Sequence, residues 1–325
     1  MTKRRVGVIG SFVWDVIYGR DPRSAPVEEW GGITYALGGL DAALPDDWEI
    51  VPIIKVGSDL RDRAAHFLTT LRHIAVDARP IEVPQANNRV ELRYFSDERR
   101  TEQMSGGVPG WNWLGLKPAL DAARLDALYI NFLSGWELDL ETTQLIRRQF
   151  AGPIYCDLHM MAWSVEPGGM RKLRPLSHVR EWCECFDFLQ VNEDEMAMLA
   201  PDSMTLAATA LHAGVRCLVV TLGKRGVVYF APPDFERLDD LRRPRPLGAS
   251  VGPVRTALAP VTRWVENGDP TGCGDVWGAT YFSRLLAGDN FGDAILAAHH
   301  AAARNVEYRG ATGLANFLRG QISLT

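Results

Sequence analysis

Short, nearly continuous apolar runs recur along the chain: "RVGVIG", "IVPIIKVG", "ALYINFLSG", "PIYCDLH", "FDFLQVN" and "RCLVVTLG". Runs of this kind fit parallel strands covered on both faces better than strands with one wet face. Helix-like segments, such as 139–149 and 192–200, lie between several of them. Strand–helix–strand repetition predicts an α/β fold built on an open, doubly wound sheet. Two segments depart from that plan, 12–32 and 88–102. In the second, Val90, Leu92 and Tyr94 alternate with Glu91, Arg93 and Phe95, so one face could cover a cleft. A small β-lid over the α/β body accounts for both. Residues 232–260 are rich in Pro and Arg and read as an excursion, with room for one hairpin, inside a single domain spanning 1–325.

Composition narrows the class without changing this picture. With 325 residues, 46% hydrophobic and 23% charged, the chain can bury a large core and has the balance of a soluble globular enzyme. A net charge of −5 argues against nucleic acid as a partner. No apolar run approaches a membrane span, and "MTKRRVGVIG" is too short in apolar residues for a signal segment. Cytoplasmic location is the expectation. Five cysteines, an odd number without a regular framework, agree with it. Cys183 and Cys185 lack the second pair or histidine cluster that a zinc site needs.

Chemistry is expected beyond the carboxyl ends of the strands, where open α/β sheets bind ligands. Polar residues or glycine stand there: Ser11 and Asp15, Lys55 and Gly57, Asp157, Asn192, Thr221 and Gly223. The most informative stretch is "DPTGCGDVWGATYF", residues 269–282. Gly272, Cys273 and Gly274 would present unencumbered N–H groups at a helix start, where the macrodipole attracts an anion. Asp275 would sit in the first turn, within reach of a substrate hydroxyl, and can accept its proton as the oxygen attacks a phosphoryl group. A bare G-x-G-D is also an ordinary helix start, so the full context has to carry the reading.

That context resembles the C-terminal signature of the ribokinase-like (PfkB) carbohydrate kinases, usually written D-x-T-G-A/C-G-D-x-F-x-G, with Trp277 at the usual Phe. Further landmarks follow in the family's order. "VIGSFVWDVIY" resembles the first strand and the start of the lid, with Asp15 at the substrate-hydroxyl position, and Gly31-Gly32 resembles the substrate-binding pair. "KVGSDLRD" resembles "VGxDxxG". Asn192 and Glu195 match N-x-x-E, while Thr221, Gly223 and Gly226 match the nucleotide loop. The resemblance implies a three-layer αβα body with a β-lid, ATP with Mg²⁺ as donor, and a small sugar or nucleoside as acceptor. It implies Asp275 as the base, Gly272 to Gly274 as an anion hole, and Asn192 with Glu195 organising phosphate and a water-bound Mg²⁺. Asn305 is implied beside the adenine, and Asp269 with Thr271 at a monovalent cation site of the K⁺ type. A homodimer is compatible with the sequence.

Each landmark has a plainer competitor. Asn192 and Glu195 are also a capping box, Gly31-Gly32 a turn, and Asp15 a loop residue. His299 and His300 read as packed or solvated residues of an Ala-rich helix, Trp111 and Trp113 as packing. Departures limit the substrate: Ile33 and Ala36 occupy places where ribokinase proper has Lys and Asn, so ribose itself is an unfavoured acceptor. Tyr35, Arg89, Asn131 and Glu137 are candidates to substitute, and Trp14, Tyr94 and Phe95 suit a sugar face or a base. A dinucleotide-dependent oxidoreductase or a Walker-type NTPase lacks its glycine spacing here. A ligand-sensing, non-catalytic relative remains the alternative, although it would not need Asp275.

Overall fold

The structure, a computed structural model, describes residues 2–18, 25–94, 100–238, 252–263, 265–266 and 268–322. Its centre is an eight-stranded sheet in the order Arg255–Ala259, Val227–Ala231, Cys217–Thr221, Phe188–Asn192, Ile154–Asp157, Ala127–Asn131, Arg4–Ile9 and Trp48–Pro52. All neighbours pair in parallel except the two pairings made by Val227–Ala231, which are antiparallel. The continuous apolar runs are therefore explained as predicted: Ala127–Asn131 and Ile154–Asp157 are buried at every position, with one hydrophobic cluster on each face of the sheet. The later part of the 232–260 excursion returns as the edge strand Arg255–Ala259; residues 239–251 lie outside the described residues.

One face is dominated by the helix Cys273–Leu286, in which every residue from Val276 to Ser283 is buried. It packs against helices Ile33–Ala43 and Phe291–Glu307, and small residues set the approach. A Cβ on Gly278 would stand 2.4 Å from the Tyr155 hydroxyl and 2.7 Å from Gln190 Oε1.

The lid is a second sheet in the order Val27–Gly32, Phe12–Tyr18, Asn88–Tyr94 and Arg100–Ser105. Both departing segments belong to it. One expectation needs correction: "IVPIIKVG" is not one strand. Trp48–Pro52 joins the main sheet, whereas Lys55–Gly57 turns away to pair with Ile81–Val83. An unforeseen hairpin, Trp163–Val165 with Arg171–Leu173, reaches toward the lid edge.

Candidate active site

A cleft of about 620 Å³ opens between the carboxyl ends of the main strands and the lid, and a smaller cavity of about 320 Å³ adjoins it. Thr221, Gly223, Pro270, Cys273 and Gly274 line both. The signature loop thus forms the border between them. Gly272, at φ 74°, begins the helix in a left-handed conformation, and a Cβ there would press into the Tyr35 ring at 2.2 Å. Glycine is required at that position on both counts.

Asp275 lies in the first turn of this helix and lines the larger cleft. Asn131, at the end of its strand, donates from Nδ2 to Asp275 Oδ1 at 2.6 Å. Burial pushes the Asp275 carboxyl above its ordinary range, opposed by the charge of His159 and the bond from Asn131. The loop's donors are not all open. The Cys273 N–H donates to Pro270 O at 3.1 Å, and the Asp275 backbone helps to lower the pKa of its own carboxyl. Gly274, in the same first turn, lines both cavities. Beneath it, Gln190 Nε2 bridges Asp157 Oδ2 and Gly274 O at 2.9 and 3.1 Å, and Gln190 Oε1 accepts from the Tyr155 hydroxyl at 2.5 Å.

Asn192 and Glu195 satisfy both readings of their motif. They form a full capping box on the helix Glu193–Leu199, and they line the cleft. Glu195 Oε2 accepts from Asn192 N at 2.9 Å and Oε1 from Asn192 Nδ2 at 2.6 Å. Two neighbours complete a cluster in which one ligand atom each from Asp157, His159 and Glu195 lies within 4.8 Å of the others. Burial raises Asp157 well above the carboxylate range. For His159 burial works against the charge, but the hydrogen bond and charge of Glu195, with Asp157 behind them, raise it to about 10. His159 was not singled out from sequence; the signal available was its place two residues after the strand-end Asp157. His159, held protonated, is not a ligand here, but Asp157 and Glu195 keep oxygen lone pairs, and these two carboxylates fit a hydrated Mg²⁺ bound partly through water.

The lid side is distinct. Val13, Val90 and Leu92 cover the cleft as the alternation predicts, joined by Asp15, Gly32 and Tyr35. Gly31 lies behind Asp15, and a Cβ on it would stand 1.9 Å from that carboxylate. Trp14 does not face this cleft; its ring packs on Trp30 in the opposite side of the lid. Phe95 and the side chain of Tyr94 lie outside the described residues.

Several expected site residues do other work. Glu137 is 3% exposed and does not line the cleft. Its carboxylate accepts from Ser11 Oγ at 2.7 Å and from Gly135 N at 3.0 Å, which fixes a loop. Asn305 is likewise buried and outside the smaller cavity's lining; its Nδ2 donates to Thr271 O at 2.8 Å beneath the signature loop. Arg89 is turned outward to Asp59 at 2.9 Å. Asp269 accepts from Thr271 N at 2.9 Å within the same loop. Gly226, at φ 98°, lines the smaller cavity and is required because a Cβ would stand 2.1 Å from Ala259 O. His299 is packed: it accepts from Trp277 Nε1 at 3.1 Å, so its other nitrogen donates to Ala259 O at 3.1 Å, while His300 is exposed. Trp111 is buried under Lys55, 4.2 Å from its ring centre, and Trp113 packs on the core.

Residues 167–316, which include the Asn192–Glu195 motif and the signature loop, match the family profile described as pfkB family carbohydrate kinase. That segment is similar to the PfkB family. The fold of the whole is ribokinase-like. Arabidopsis thaliana ribokinase complexed with ribose and ATP superposes with a TM-score of 0.70 at 14% identity, over 100% of each chain. A Burkholderia thailandensis nucleoside kinase in complex with inosine gives 0.66 at 15% identity, over 95% of this chain and 94% of that one. A pyrophosphate-dependent kinase of the ribokinase family, complexed with a pyrophosphate analog and myo-inositol, gives 0.68 at 14% identity, over 94% and 97%. A search of curated proteins finds no match. No helix among the described residues is long and apolar enough to cross a membrane.

Proposed function

We propose that this chain, similar to the PfkB kinases over residues 167–316, transfers the γ-phosphoryl group of ATP to a hydroxyl of a small sugar or sugar-like acceptor. The observation that carries the reading is the place of Asp275: a buried carboxylate in the first turn of a helix whose glycine loop borders both cavities. The acceptor lies under Val13, Val90 and Leu92, with Asp15 binding its hydroxyls. Asp275 accepts the proton of the attacking oxygen. Asn131 aims that carboxylate rather than touching the acceptor. The Gly274 N–H, and that of Cys273 once released from Pro270, receive the phosphate oxygens. Mg²⁺ bound through Asp157 and Glu195 would offset the donor's charge, and positioning supplies most of the remaining acceleration. Asp269 and Thr271 spend only part of their oxygen capacity inside the loop, which leaves room for K⁺ there.

The smaller cavity favours ATP over pyrophosphate. Its walls include Val227, Val261, Val265, Trp277 and Ala302, an apolar lining suited to a base and unnecessary for a donor without one. Five free thiols, four of them buried, support a reducing, cytoplasmic setting. The test is ³¹P NMR of the protein with ATP, Mg²⁺ and a panel of sugars, sugar derivatives and nucleosides. The reading expects ADP together with a new phosphomonoester; binding of acceptors without any phosphoester would favour a sensing relative.

A further inference from the structure

On the acceptor side stands a cation that the chemistry above does not use. Arg171 belongs to the hairpin Trp163–Val165/Arg171–Leu173, whose Pro167-Gly168-Gly169 turn docks on the lid. Met104 N donates to Gly169 O at 2.8 Å, and Gln103 Nε2 to Gly168 O at 2.6 Å. This docking brings Arg171 into the cleft wall with Val13, Val90, Leu92, Leu133 and Glu102.

The guanidinium is 6% exposed, yet its partners are poor. Nη1 reaches Glu102 Oε2 at 3.3 Å and Met160 Sδ at 3.6 Å; Nη2 reaches Met104 Sδ at 3.1 Å and Leu133 O at 3.4 Å. Nε is buried with no partner. A charge-assisted bond to a carboxylate normally closes to about 2.7–2.9 Å, and a thioether sulfur is a weak acceptor. Burying a guanidinium costs several kcal/mol unless it is well bonded. Glu102, at 21% exposure, shares the cleft wall with Arg171.

We infer that Arg171 recognises an anionic oxygen group on the acceptor, a carboxylate or a phosphate. The substrate class is then sugar acids or sugar phosphates rather than neutral sugars or nucleosides. The planar fork suits either anion, and the apolar walls around it strengthen the pairing. This assignment rests on the phosphoryl-transfer reading of the same cleft.

Matched probes test it: D-gluconate against D-glucose, D-ribonate against D-ribose, and D-ribose 5-phosphate to separate phosphate from carboxylate. Wild type should phosphorylate at least one anion with kcat/KM above that of its neutral partner. Arg171→Met should lower that value roughly 10- to 150-fold, mainly through KM, the equivalent of a charged hydrogen bond. The neutral partner should change by less than about threefold on the same scale. Glu102→Gln, which removes the competing carboxylate, should tighten binding of the anion. A preference for neutral acceptors, or equal losses for both classes in Arg171→Met, overturns the assignment. Calorimetry without ATP separates the two readings. An anion that binds wild type but not Arg171→Met, with no phosphoester formed, sinks phosphoryl transfer and leaves the assignment standing. Phosphorylation of neutral alcohols alone does the reverse, and absence of both binding and turnover overturns both. If Arg171→Met does not fold, Arg171→Lys carries the test, since it keeps the charge and loses the fork; undiminished anion binding there would overturn the assignment.

Discussion

Replacing Asn131 by leucine separates orientation of the proposed base, Asp275, from its chemistry. Asn131 is fully buried, and its Nδ2 bond to Asp275 Oδ1 at 2.6 Å is a donor that stabilises the ionised carboxylate. Its Oδ1 has no partner, so an apolar side chain of similar size removes an unsatisfied acceptor together with the donor. A hydrogen bond to a charged group contributes about 1.5–3 kcal/mol. At 1.36 kcal/mol per pKa unit this is roughly one to two units. Asp275 is already raised by burial, and losing the bond raises it further. The base must be ionised to act, so activity is lost as pH falls through its pKa. The acid limb of kcat/KM should therefore move up by about one to two pH units in Asn131→Leu, while the plateau at high pH falls much less. Initial rates from pH 5 to 9 measure this, with thermal denaturation confirming the fold. An unmoved acid limb with a uniformly lower plateau would refute the orienting bond.

Two other changes probe the loop and the cluster. Gly272→Ala places a side chain at φ 74° and into the Tyr35 ring; it should destabilise the protein by about 1–3 kcal/mol and lower turnover, and an unchanged denaturation midpoint would contradict the geometry. Glu195→Gln keeps one accepting oxygen for the capping box but turns an amide toward an Asn192 donor and loses the charge that supports His159; stability should fall by about 1–3 kcal/mol, and the Mg²⁺ concentration for half-maximal rate should rise about 10- to 100-fold, whereas an unaltered Mg²⁺ response would remove Glu195 from the proposed metal site.

How much was legible in the sequence follows from how local each requirement is. Gly272 and the pair Gly31-Gly32 answer constraints set within a few residues or by one close neighbour, so they leave a readable mark. The covered faces of the sheet wrote themselves as apolar runs, and the lid as alternation at Val90 and Leu92. Asn131 and Glu137 were harder. Both are polar groups at the sheet's carboxyl edge, and sequence does not say whether such a side chain faces a ligand, as expected, or another residue, as found. Asn305, expected beside the adenine, likewise hydrogen-bonds to the underside of the signature loop. The departure of Lys55–Gly57 from the main sheet was not legible because its partner, Ile81–Val83, lies distant in sequence. The 163–173 hairpin did carry a signal, the Glu166-Pro167-Gly168-Gly169 turn between short runs, but its docking on Met104 is long-range information.

In the proposed transfer, the acceptor's proton passes to Asp275. The most direct measurement is single-turnover phosphoryl transfer by Asp275→Asn, with ATP affinity determined on the same preparation. Asn keeps the shape, and it removes a carboxylate whose ionisation burial disfavours, so the fold and ATP binding should be retained. Transfer should slow by roughly 10²- to 10⁴-fold. A variant that binds ATP as wild type does and transfers phosphate at the wild-type rate would contradict the claim.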